Sequence, residues 1–324
     1  MRNWVLPEFI EDVLPAEAER TEALRRILLD HFRAHGYRLV QPPLVEHLDS
    51  VFTGSGRDLE LQTFIVVDPL SGRLIGVRAD ITPQVARIDA HLLNEPGVTR
   101  LCYAGSVLRA VPAGGAKTRE VMQIGAELFG EPAITGDVEV LGLILSSLTT
   151  TGLTALHLDL GHVGVYRALA AGAGLAGNGD DSELFAALRA KDVPAVADLT
   201  AKLPAAWRNA LAALPTLYGP AQEVLAEARA RLPDTPSIRN ALTALAALAQ
   251  AANPQVEALH IDLADLTGYH YQNGAIFSVF TAGEPNAIGN GGRYDGIGKA
   301  FGRARPATGF TLDLRQLAGV VARA

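Results

Sequence analysis

The chain has 324 residues, 48% of them hydrophobic and 19% charged, which is typical of a folded globular protein with one large domain or two medium-sized ones. Its net charge of −7 argues against a protein that binds nucleic acid over a broad basic surface, although a local basic stripe stays compatible with that charge. A single cysteine, Cys102, excludes an intrachain disulfide and a cysteine-based zinc site, and the lack of a signal peptide or a run of about 20 apolar residues predicts a cytoplasmic protein that does not enter a membrane.

The first strong signal is an amphipathic helix that begins after Pro15 and ends before Gly36, a residue suited to the C-terminal cap. Its predicted apolar face consists of Leu24, Ile27, Leu28 and Phe32.

Strand signals follow the helix. Residues 37–49 predict a short strand that is broken at Pro42 and Pro43. Residues 62–68 and 73–80, joined by the turn sequence PLSG, predict a β-hairpin. Residues 98–110 and 119–130 predict a second pair of strands, separated by the flexible sequence PAGGAKT.

The character of the chain changes between residues 177 and 253. This segment is rich in alanine, shows helical periodicity and is punctuated by prolines, so we expect a helical insertion subdomain. It separates two β-rich parts, 1–176 and 254–324, which we expect to form one core.

Two similar sequences flank the insert, ALHLDLG at 155–161 and ALHIDLA at 258–264. On a strand, His157 and Asp159 share one face, and so do His260 and Asp262. Two imidazoles and two carboxylates on neighbouring strands suit a transition metal, so a metal-binding or structural module is one hypothesis. The alternative, which the undefined ligand spacing favours, is a pair of sheet strands with a polar face.

The sequence GNGGRYDGIGKAFG at 289–302 raises the question of nucleotide binding, because glycine-rich loops often approach phosphates. It matches neither a P-loop nor a dinucleotide fingerprint. Arg293 stands where the P-loop needs glycine, and Tyr294 where the dinucleotide motif needs its third glycine. These residues predict a tight turn with close backbone approach.

Four stretches together resemble the histidyl-tRNA synthetases. Residues 77–87 are similar to the pattern Leu-Arg-Pro-Glu-x-Thr-Pro/Ala, and residues 103–130 resemble motif 2 of class II synthetases, with its arginine and its Gln-x-Gly-x-Glu. Residues 289–297 are similar to the Gly-Gly-Arg-Tyr-Asp signature of the histidine enzymes, and residues 41–49 resemble motif 1. The resemblance runs from about Val13 to Leu317 and implies an α+β fold, a class II synthetase-like core with an antiparallel sheet flanked by helices.

The resemblance also implies a histidine pocket. In the family, the glutamate at the position of Asp80 binds the amino group of the ligand, and the carboxylate here is one methylene shorter. The residues implied to bind histidine are Asp80, Thr82, Arg109, Gln123, Glu127, Tyr269, His270 and Tyr271. The residues implied to form the pocket loop are Gly291, Gly292, Arg293, Tyr294 and Asp295.

Three departures from the family fall on residues that handle ATP. Val111 stands at the motif 2 glutamate and Thr267 at the catalytic arginine. Motif 3 ends Gly-Leu-Glu-Arg-Leu in the family, and this chain reads DLRQL at 313–317, with Gln316 at the arginine. Arg315 is no easy substitute, because a shift of one residue turns a helical side chain by about 100°. Adenylation concentrates negative charge on the phosphates, so we expect these losses to cost several kcal/mol of transition-state stabilisation. No catalytic residue, cofactor or metal is therefore expected.

With this pattern the chain resembles the HisZ family, the non-catalytic regulatory subunits of ATP phosphoribosyltransferase. The resemblance implies a role in the first step of histidine biosynthesis, a short catalytic partner (HisG), a hetero-octamer, a self-dimer through motif 1, and L-histidine as effector. The chain ends just after motif 3, so no anticodon-binding domain and no tRNA are expected. An adenylating enzyme that acts without tRNA remains the other enzymatic hypothesis.

Overall fold

A computed structural model describes residues 5–53, 57–112, 118–175, 181–269 and 271–323. Among these residues the helices are α1 Pro15–Ala34, α2 Leu48–Phe52, α3 Arg57–Gln62, α4 Thr82–Arg87, α5 Ile134–Thr150, α6 Val163–Gly172, α7 Asp181–Arg189, α8 Val193–Thr200, α9 Ala205–Ala213, α10 Ala221–Arg231, α11 Pro236–Ala252 and α12 Leu314–Val321. The strands are β1 Arg38–Leu39, β2 Val45–His47, β3 Phe64–Val67, β4 Leu74–Val77, β5 Thr99–Leu108, β6 Glu120–Phe129, β7 Leu156–His162, β8 Tyr218–Pro220, β9 Ala258–Asp262, β10 Ala275–Thr281, β11 Gly289–Arg293 and β12 Ala307–Asp313.

The chain divides into two compact units. The first comprises residues 1–132, 146–153 and 295–324, and the second comprises residues 133–145 and 154–294. The predicted α+β composition, a mainly antiparallel sheet flanked by helices, is confirmed. No helix within the described ranges is long and apolar enough to span a membrane.

In the first unit, the two predicted strand pairs are confirmed. Strand β6 pairs antiparallel with β5 on one side and with β12 on the other, and β1 pairs parallel with β5. The hairpin β3–β4 forms a separate three-stranded sheet with β2. The long partners β5 and β6 therefore form the centre of this unit, and their side chains carry most of the site described below.

Helix α1 covers this sheet and packs against α12. Leu24, Leu28 and Phe32 are buried as predicted, and the ring of Phe32 meets Phe310 edge to face at 5.6 Å. Gly36 has a φ of +84° and ends the helix as expected. Ile27 is 41% exposed, so its predicted burial is wrong. At helical spacing it lies beside the row of Leu24, Leu28 and Phe32 rather than on it.

In the second unit, β10 pairs antiparallel with both β11 and β7, β7 pairs parallel with β9, and β8 closes the edge of β9. Helices α7 to α11 lie within the range predicted as a helical insert, and the short strand β8, which the sequence analysis missed, interrupts them. The insert's boundaries at 177 and 253 stay a prediction. The register of β7 and β9 places Asp159 opposite His260.

Candidate functional site

A buried hydrogen-bonded cluster surrounds Glu127 in the first unit. Thr82, at the start of α4, donates its hydroxyl to Oε1 of Glu127 over 3.0 Å, and Tyr103 on β5 donates to the same oxygen over 3.1 Å. Tyr103 and Glu127 are completely buried. Two neutral donors therefore fix the orientation of a carboxylate that burial alone would make costly.

Two glycines make room for this cluster. The strand register places Gly125 opposite Tyr103 and Gly309 opposite Glu127. A Cβ at Gly125 would lie 2.5 Å from the hydroxyl of Tyr103, and a Cβ at Gly309 would overlap Oε2 of Glu127. Both positions need glycine because large polar side chains cross directly over the backbone.

Gln123 links the cluster to Asp80. Its Oε1 accepts from the backbone N–H of Ile81 at 2.9 Å, and its Nε2 donates to Oδ1 of Asp80 at 2.8 Å. The backbone N–H of Thr82 donates to the same Asp80 oxygen at 3.1 Å. Gln123 and Glu127 share one strand face as predicted. Gln123 orients Asp80, and a direct contact from Gln123 to a ligand stays a prediction.

The electrostatics of the cluster favour a cationic or N–H-bearing ligand. Burial raises the pKa of Tyr103 well above 10, and the Glu127 and Asp80 carboxylates add to this shift, so Tyr103 stays a protonated donor. Across the described part of the chain, no lysine, arginine or histidine forms an ion pair with Asp80. The Asp80 carboxylate therefore keeps its capacity to bind an ammonium group or an imidazole N–H.

Arg109, the remaining motif 2 arginine, follows β5 at a bridge to Thr63. Its Nε is buried and has no hydrogen-bond partner among the residues that the structure describes. Asp313, at the end of β12, lies close enough to Arg109 for the two charges to interact. Burial raises the pKa of Asp313, while the N–H groups of Arg315 and Gln316 and the charge of Arg109 oppose that shift. A carboxylate thus occupies the place of the glycine in the family sequence Gly-Leu-Glu-Arg-Leu.

The three residues that replace the family's ATP-binding residues lie at different places in the structure. Val111 is 55% exposed, and Gln316 lies in the first turn of α12. Thr267, in the second unit, lies in an exposed turn where its N–H donates to Asp265 at 2.9 Å. Arg315 is engaged elsewhere, since its guanidinium binds Glu11 at 2.7 Å and Glu17 at 3.3 Å.

Tyr269 and Tyr271, from the predicted tyrosine region, lie in the second unit and pack against different aromatic side chains. Tyr271 stacks on Tyr294, with 4.9 Å between ring centroids. Tyr269 packs instead against Tyr166 and Phe185, at 5.4 and 5.2 Å. His270 lies outside the described residues. The binding of a ligand by Tyr269 or Tyr271 stays a prediction.

Arg167 on α6 holds this segment in place. Its guanidinium donates to the carbonyls of Tyr269 and Gln272, at 2.6 and 2.8 Å, and lies over the ring of Tyr269.

The glycine-rich sequence forms a strand, so the predicted tight turn is wrong for residues 289–293. Gly291 and Gly292 pair with Phe277 and Ile276 on β10, and the Tyr294 side chain follows the strand end. The expected close approach is nevertheless present, because a Cβ at Gly292 would lie 2.5 Å from the carbonyl oxygen of Ala275. The glycines are explained by their pairing with β10, which gives their backbone N–H and C=O groups hydrogen-bond partners without a turn.

Arg293 and Asp295, from the same sequence, make internal contacts. Arg293 is buried and binds the carboxylate of Asp137, with Nη2 at 2.8 Å and Nε at 3.0 Å from its oxygens. In the first unit, Oδ1 of Asp295 accepts from the N–H of Ala307 at 2.9 Å. These contacts stabilise the protein's architecture, and a role in holding a ligand stays a prediction.

The two Leu-His-x-Asp-Leu strands do neighbour each other, as expected. His260 lies 3.5 Å from Asp159, while Asp262 binds Lys191 at 2.6 Å and His157 approaches Glu257 at 3.9 Å. In the described ranges, no three histidine, cysteine, aspartate or glutamate side chains group so as to hold a metal ion. The strand face is thus a set of separate polar pairs.

Sequence reasoning missed three residues. Tyr103 had a weak signal, since it stands in an apolar strand opposite the glycine of Gln-x-Gly-x-Glu. Asp313 had a clearer one, as a carboxylate in place of a motif 3 glycine. Asp137 had none, because it lies 156 residues from Arg293 in the chain.

Comparison with known proteins agrees with this geometry. The histidyl-tRNA synthetase family model matches residues 9–317. An ATP phosphoribosyltransferase regulatory subunit from Ralstonia nicotianae is 58% identical over 99% of this chain and 82% of its own length, and one from Thiobacillus denitrificans is 57% identical over 98% of both.

Solved structures share the fold. A Bacillus halodurans structure described as an ATP phosphoribosyltransferase regulatory subunit/histidyl-tRNA synthetase has a TM-score of 0.86 and 26% identity, covering 98% of this chain and 83% of its own. A histidine–tRNA ligase subunit from Alicyclobacillus acidocaldarius has a TM-score of 0.78 at 23% identity, covering 100% and 99%. The chain belongs to the histidyl-tRNA synthetase family, and within that family to the regulatory subunits of ATP phosphoribosyltransferase.

Proposed function

We propose that this chain is a non-catalytic subunit that the short catalytic chain of ATP phosphoribosyltransferase requires for activity, and that it conveys feedback inhibition by L-histidine. The curated relatives named as regulatory subunits of ATP phosphoribosyltransferase support this partnership. The observation that carries the histidine part is the hydrogen-bonded cluster of Glu127, Gln123 and Asp80, in a chain whose ATP-binding pattern is altered.

The cluster suits the two polar ends of histidine that bear N–H groups. Asp80 offers a carboxylate without an ion-pair partner in the described residues. Glu127 offers a buried carboxylate that hydrogen bonds from Thr82 and Tyr103 hold in place. Both are acceptors, whereas the imidazole ring and the ammonium group of histidine are donors. Hydrogen bonds between charged partners contribute about 1.5–3 kcal/mol each, so a matched pair of acceptors supports selective binding.

Several contacts argue against adenylation. The phosphates of ATP need concentrated positive charge, yet Asp313 places a carboxylate near Arg109, and Arg315 is bound by Glu11 and Glu17. The purified chain should therefore not catalyse histidine-dependent exchange of pyrophosphate into ATP. Clear exchange above that of a Glu127→Gln control would favour the adenylating enzyme instead.

We expect the chain to form a dimer with itself inside a larger hetero-octamer. The three-stranded sheet β2–β4–β3 leaves Ile65, Val67 and Leu74 exposed, and Leu70 is exposed in the turn between β3 and β4. A patch of this kind is unusual on a monomer and typical of an interface. Light scattering tests this: wild type should have twice the mass of the chain, and Val67→Lys should shift it toward the monomer, while the helical control Arg26→Lys should not.

Regulation by histidine requires linkage. Histidine shifts the activity of a partner only if it binds two arrangements of the complex with different affinity.

Co-expression with the short catalytic subunit tests the partnership directly. Transferase activity should appear only when both chains are present, and an active catalytic chain alone would contradict the proposal.

A further inference from the structure

The segment before α1 presents an aromatic side chain to solvent from a strained backbone. Phe9 has a φ of +59°, in the left-handed region where residues other than glycine are uncommon, and the residue is 50% exposed. The N–H of Ile10 donates to the carbonyl of Pro7 at 3.1 Å, so Phe9 is the third residue of a turn in which a positive φ at that position favours glycine. Strain of this kind points to a function for the phenylalanine ring.

Two hydrogen bonds hold Phe9 at one end of the β5–β6 pair. Its carbonyl accepts from the N–H of Arg119 at 2.9 Å and from the hydroxyl of Thr118 at 3.2 Å. Arg119 directly precedes β6, and its own carbonyl accepts from the N–H of Arg109 at 2.9 Å. The ring is therefore presented from a fixed backbone, so little ordering is needed when a partner binds it.

Other exposed apolar side chains lie near this turn. Leu6 precedes it, and Val111 follows Ala110, whose carbonyl accepts from Nη1 of Arg119 at 3.1 Å. We call Leu6, Phe9 and Val111 the N-terminal patch. An exposed aromatic residue with apolar neighbours is typical of the centre of a protein–protein interface.

The charges of this segment are of one sign. Residues 5–14 contain Glu8, Glu11 and Asp12 and no lysine, arginine or histidine. Glu11 binds Arg315 at 2.7 Å, whereas Glu8 and Asp12 are exposed and form no ion pair with any residue that the structure describes. The N-terminal patch is thus complementary to an apolar pocket that lysine or arginine side chains surround.

We infer that the N-terminal patch is the surface on which the short catalytic chain docks, with the ring of Phe9 in an apolar pocket edged by cationic side chains. This inference rests on the proposed function and names the surface that the partner uses. The side chains of the patch are different from those of the sheet β2–β4–β3, to which we assign the contact between two copies of this chain.

The connection to the histidine cluster favours the catalytic chain as the occupant. Strand β6 begins at Glu120, next to Arg119, and carries Gln123 and Glu127. A partner that rests on Phe9 therefore contacts a segment hydrogen-bonded to the start of the strand that holds the cluster. Linkage between histidine and the partner requires a physical connection of this kind.

Two variants remove the ring in different ways. Phe9→Gly also relieves the strained backbone, whereas Phe9→Ala keeps it. In calorimetric titrations of the full chain with the purified short catalytic subunit, both should bind about tenfold or more weakly than the wild type. The control Leu92→Ala, at a residue that is 63% exposed in the same unit, should change the affinity by less than about twofold. Urea unfolding should show Phe9→Gly to be at least as stable as Phe9→Ala, so that weaker binding is not a loss of fold.

A charge reversal tests the cationic edge of the partner's pocket. The double variant Glu8→Lys/Asp12→Lys should bind the catalytic subunit about tenfold more weakly at about 50 mM salt, and the difference should shrink at about 0.5 M salt because ions screen exposed charges. Equal or tighter binding by this variant at low salt would contradict the inferred chemistry of the partner.

The outcomes separate the docking surface from the partnership. If the wild type does not bind the catalytic subunit, the proposed partnership fails and the inference fails with it. If the wild type binds and Phe9→Gly binds with the same affinity, the partnership stands and the docking surface is refuted. If Phe9→Gly lowers the mass of the chain alone in light scattering, the patch belongs to an interface between two copies of this chain, which also refutes the inference.

Discussion

Thr82 and Tyr103 donate to the same oxygen of Glu127, and their own oxygens lie 3.2 Å apart. This three-residue contact joins three separate elements, α4, β5 and β6, and Thr82 and Glu127 lie 45 residues apart in the chain. The other oxygen of Glu127 lies against the backbone of Gly309 on β12. The side chain is thus held from both sides. Because it is already ordered, little conformational entropy is lost when a ligand binds.

Gly309→Ala should displace Glu127, because the new methyl group would overlap Oε2. We expect a loss of histidine affinity of at least about tenfold and a destabilisation of about 1–3 kcal/mol from overpacking. Calorimetry and urea unfolding measure the two effects. The matched control is Gly142→Ala on α5, where a Cβ meets nothing within 4 Å and the free energy of unfolding should stay equal or rise. Unchanged histidine affinity in Gly309→Ala would contradict the placement of Glu127 in the site.

Asp137→Asn should destabilise the protein by about 3–5 kcal/mol, because it leaves Arg293 buried without its counter-charge. The comparison variant is Asp234→Asn, which breaks an ion pair between Arg239 and Asp234 whose side chains are 58% and 75% exposed. That loss should be no more than about 1 kcal/mol. Similar small losses for both variants, measured by urea unfolding, would show that Arg293 does not depend on Asp137.

The sequence predicts the elements that depend on residues close together in the chain, and it fails where an element depends on pairing with a distant segment. The hairpin β3–β4, the pair β5–β6 and the cap at Gly36 depend on local pattern, and all are confirmed. The strand at Gly289–Arg293 was mistaken for a turn, because glycines favour turns locally and only pairing with a distant strand makes this segment extended.

The site divides in the same way. Gln123 and Glu127 could be placed on one face because strand periodicity is regular. The contacts between Thr82, Tyr103 and Glu127 could not be predicted, since they join three elements through tertiary packing. The separation of Tyr269 from Tyr271 likewise depends on Tyr166 and Phe185, which lie far from them in the chain.

Stability should fall between about pH 6.5 and 4 because of His162. Burial lowers the pKa of His162 to about 4, and Arg293 acts in the same direction. The unfolded chain therefore binds a proton that the folded chain does not, so the stabilising contribution is complete above pH 6.5 and is lost as the pH falls toward 4. The loss should approach about 3 kcal/mol.

His162→Asn tests this assignment. The asparagine can still accept from the N–H of Gly164, as Nδ1 of His162 does at 3.1 Å, but it does not titrate. The variant's urea midpoint should depend less on pH across this window than that of the wild type. Identical pH profiles would assign the loss to other groups.

Cys102 should be inert in the folded protein. It is fully buried on β5, and burial raises the pKa of its thiol to about 11. The reactive thiolate is therefore depleted about 100-fold relative to an ordinary cysteine, in addition to the steric barrier. Labelling with a thiol reagent at pH 8 should be at least about 100-fold slower in the native protein than in urea, and rapid native labelling would show that β5 opens.

The most direct test of the account is histidine inhibition of the reconstituted transferase that carries Glu127→Gln. Glutamine keeps the size of the side chain and an oxygen that accepts from Thr82 and Tyr103, so assembly and uninhibited activity should match the wild type. The lost charge should raise the histidine concentration needed for half-inhibition by about tenfold or more. Unchanged inhibition in a fully assembled complex would contradict the claim that this chain senses histidine through the Glu127 cluster.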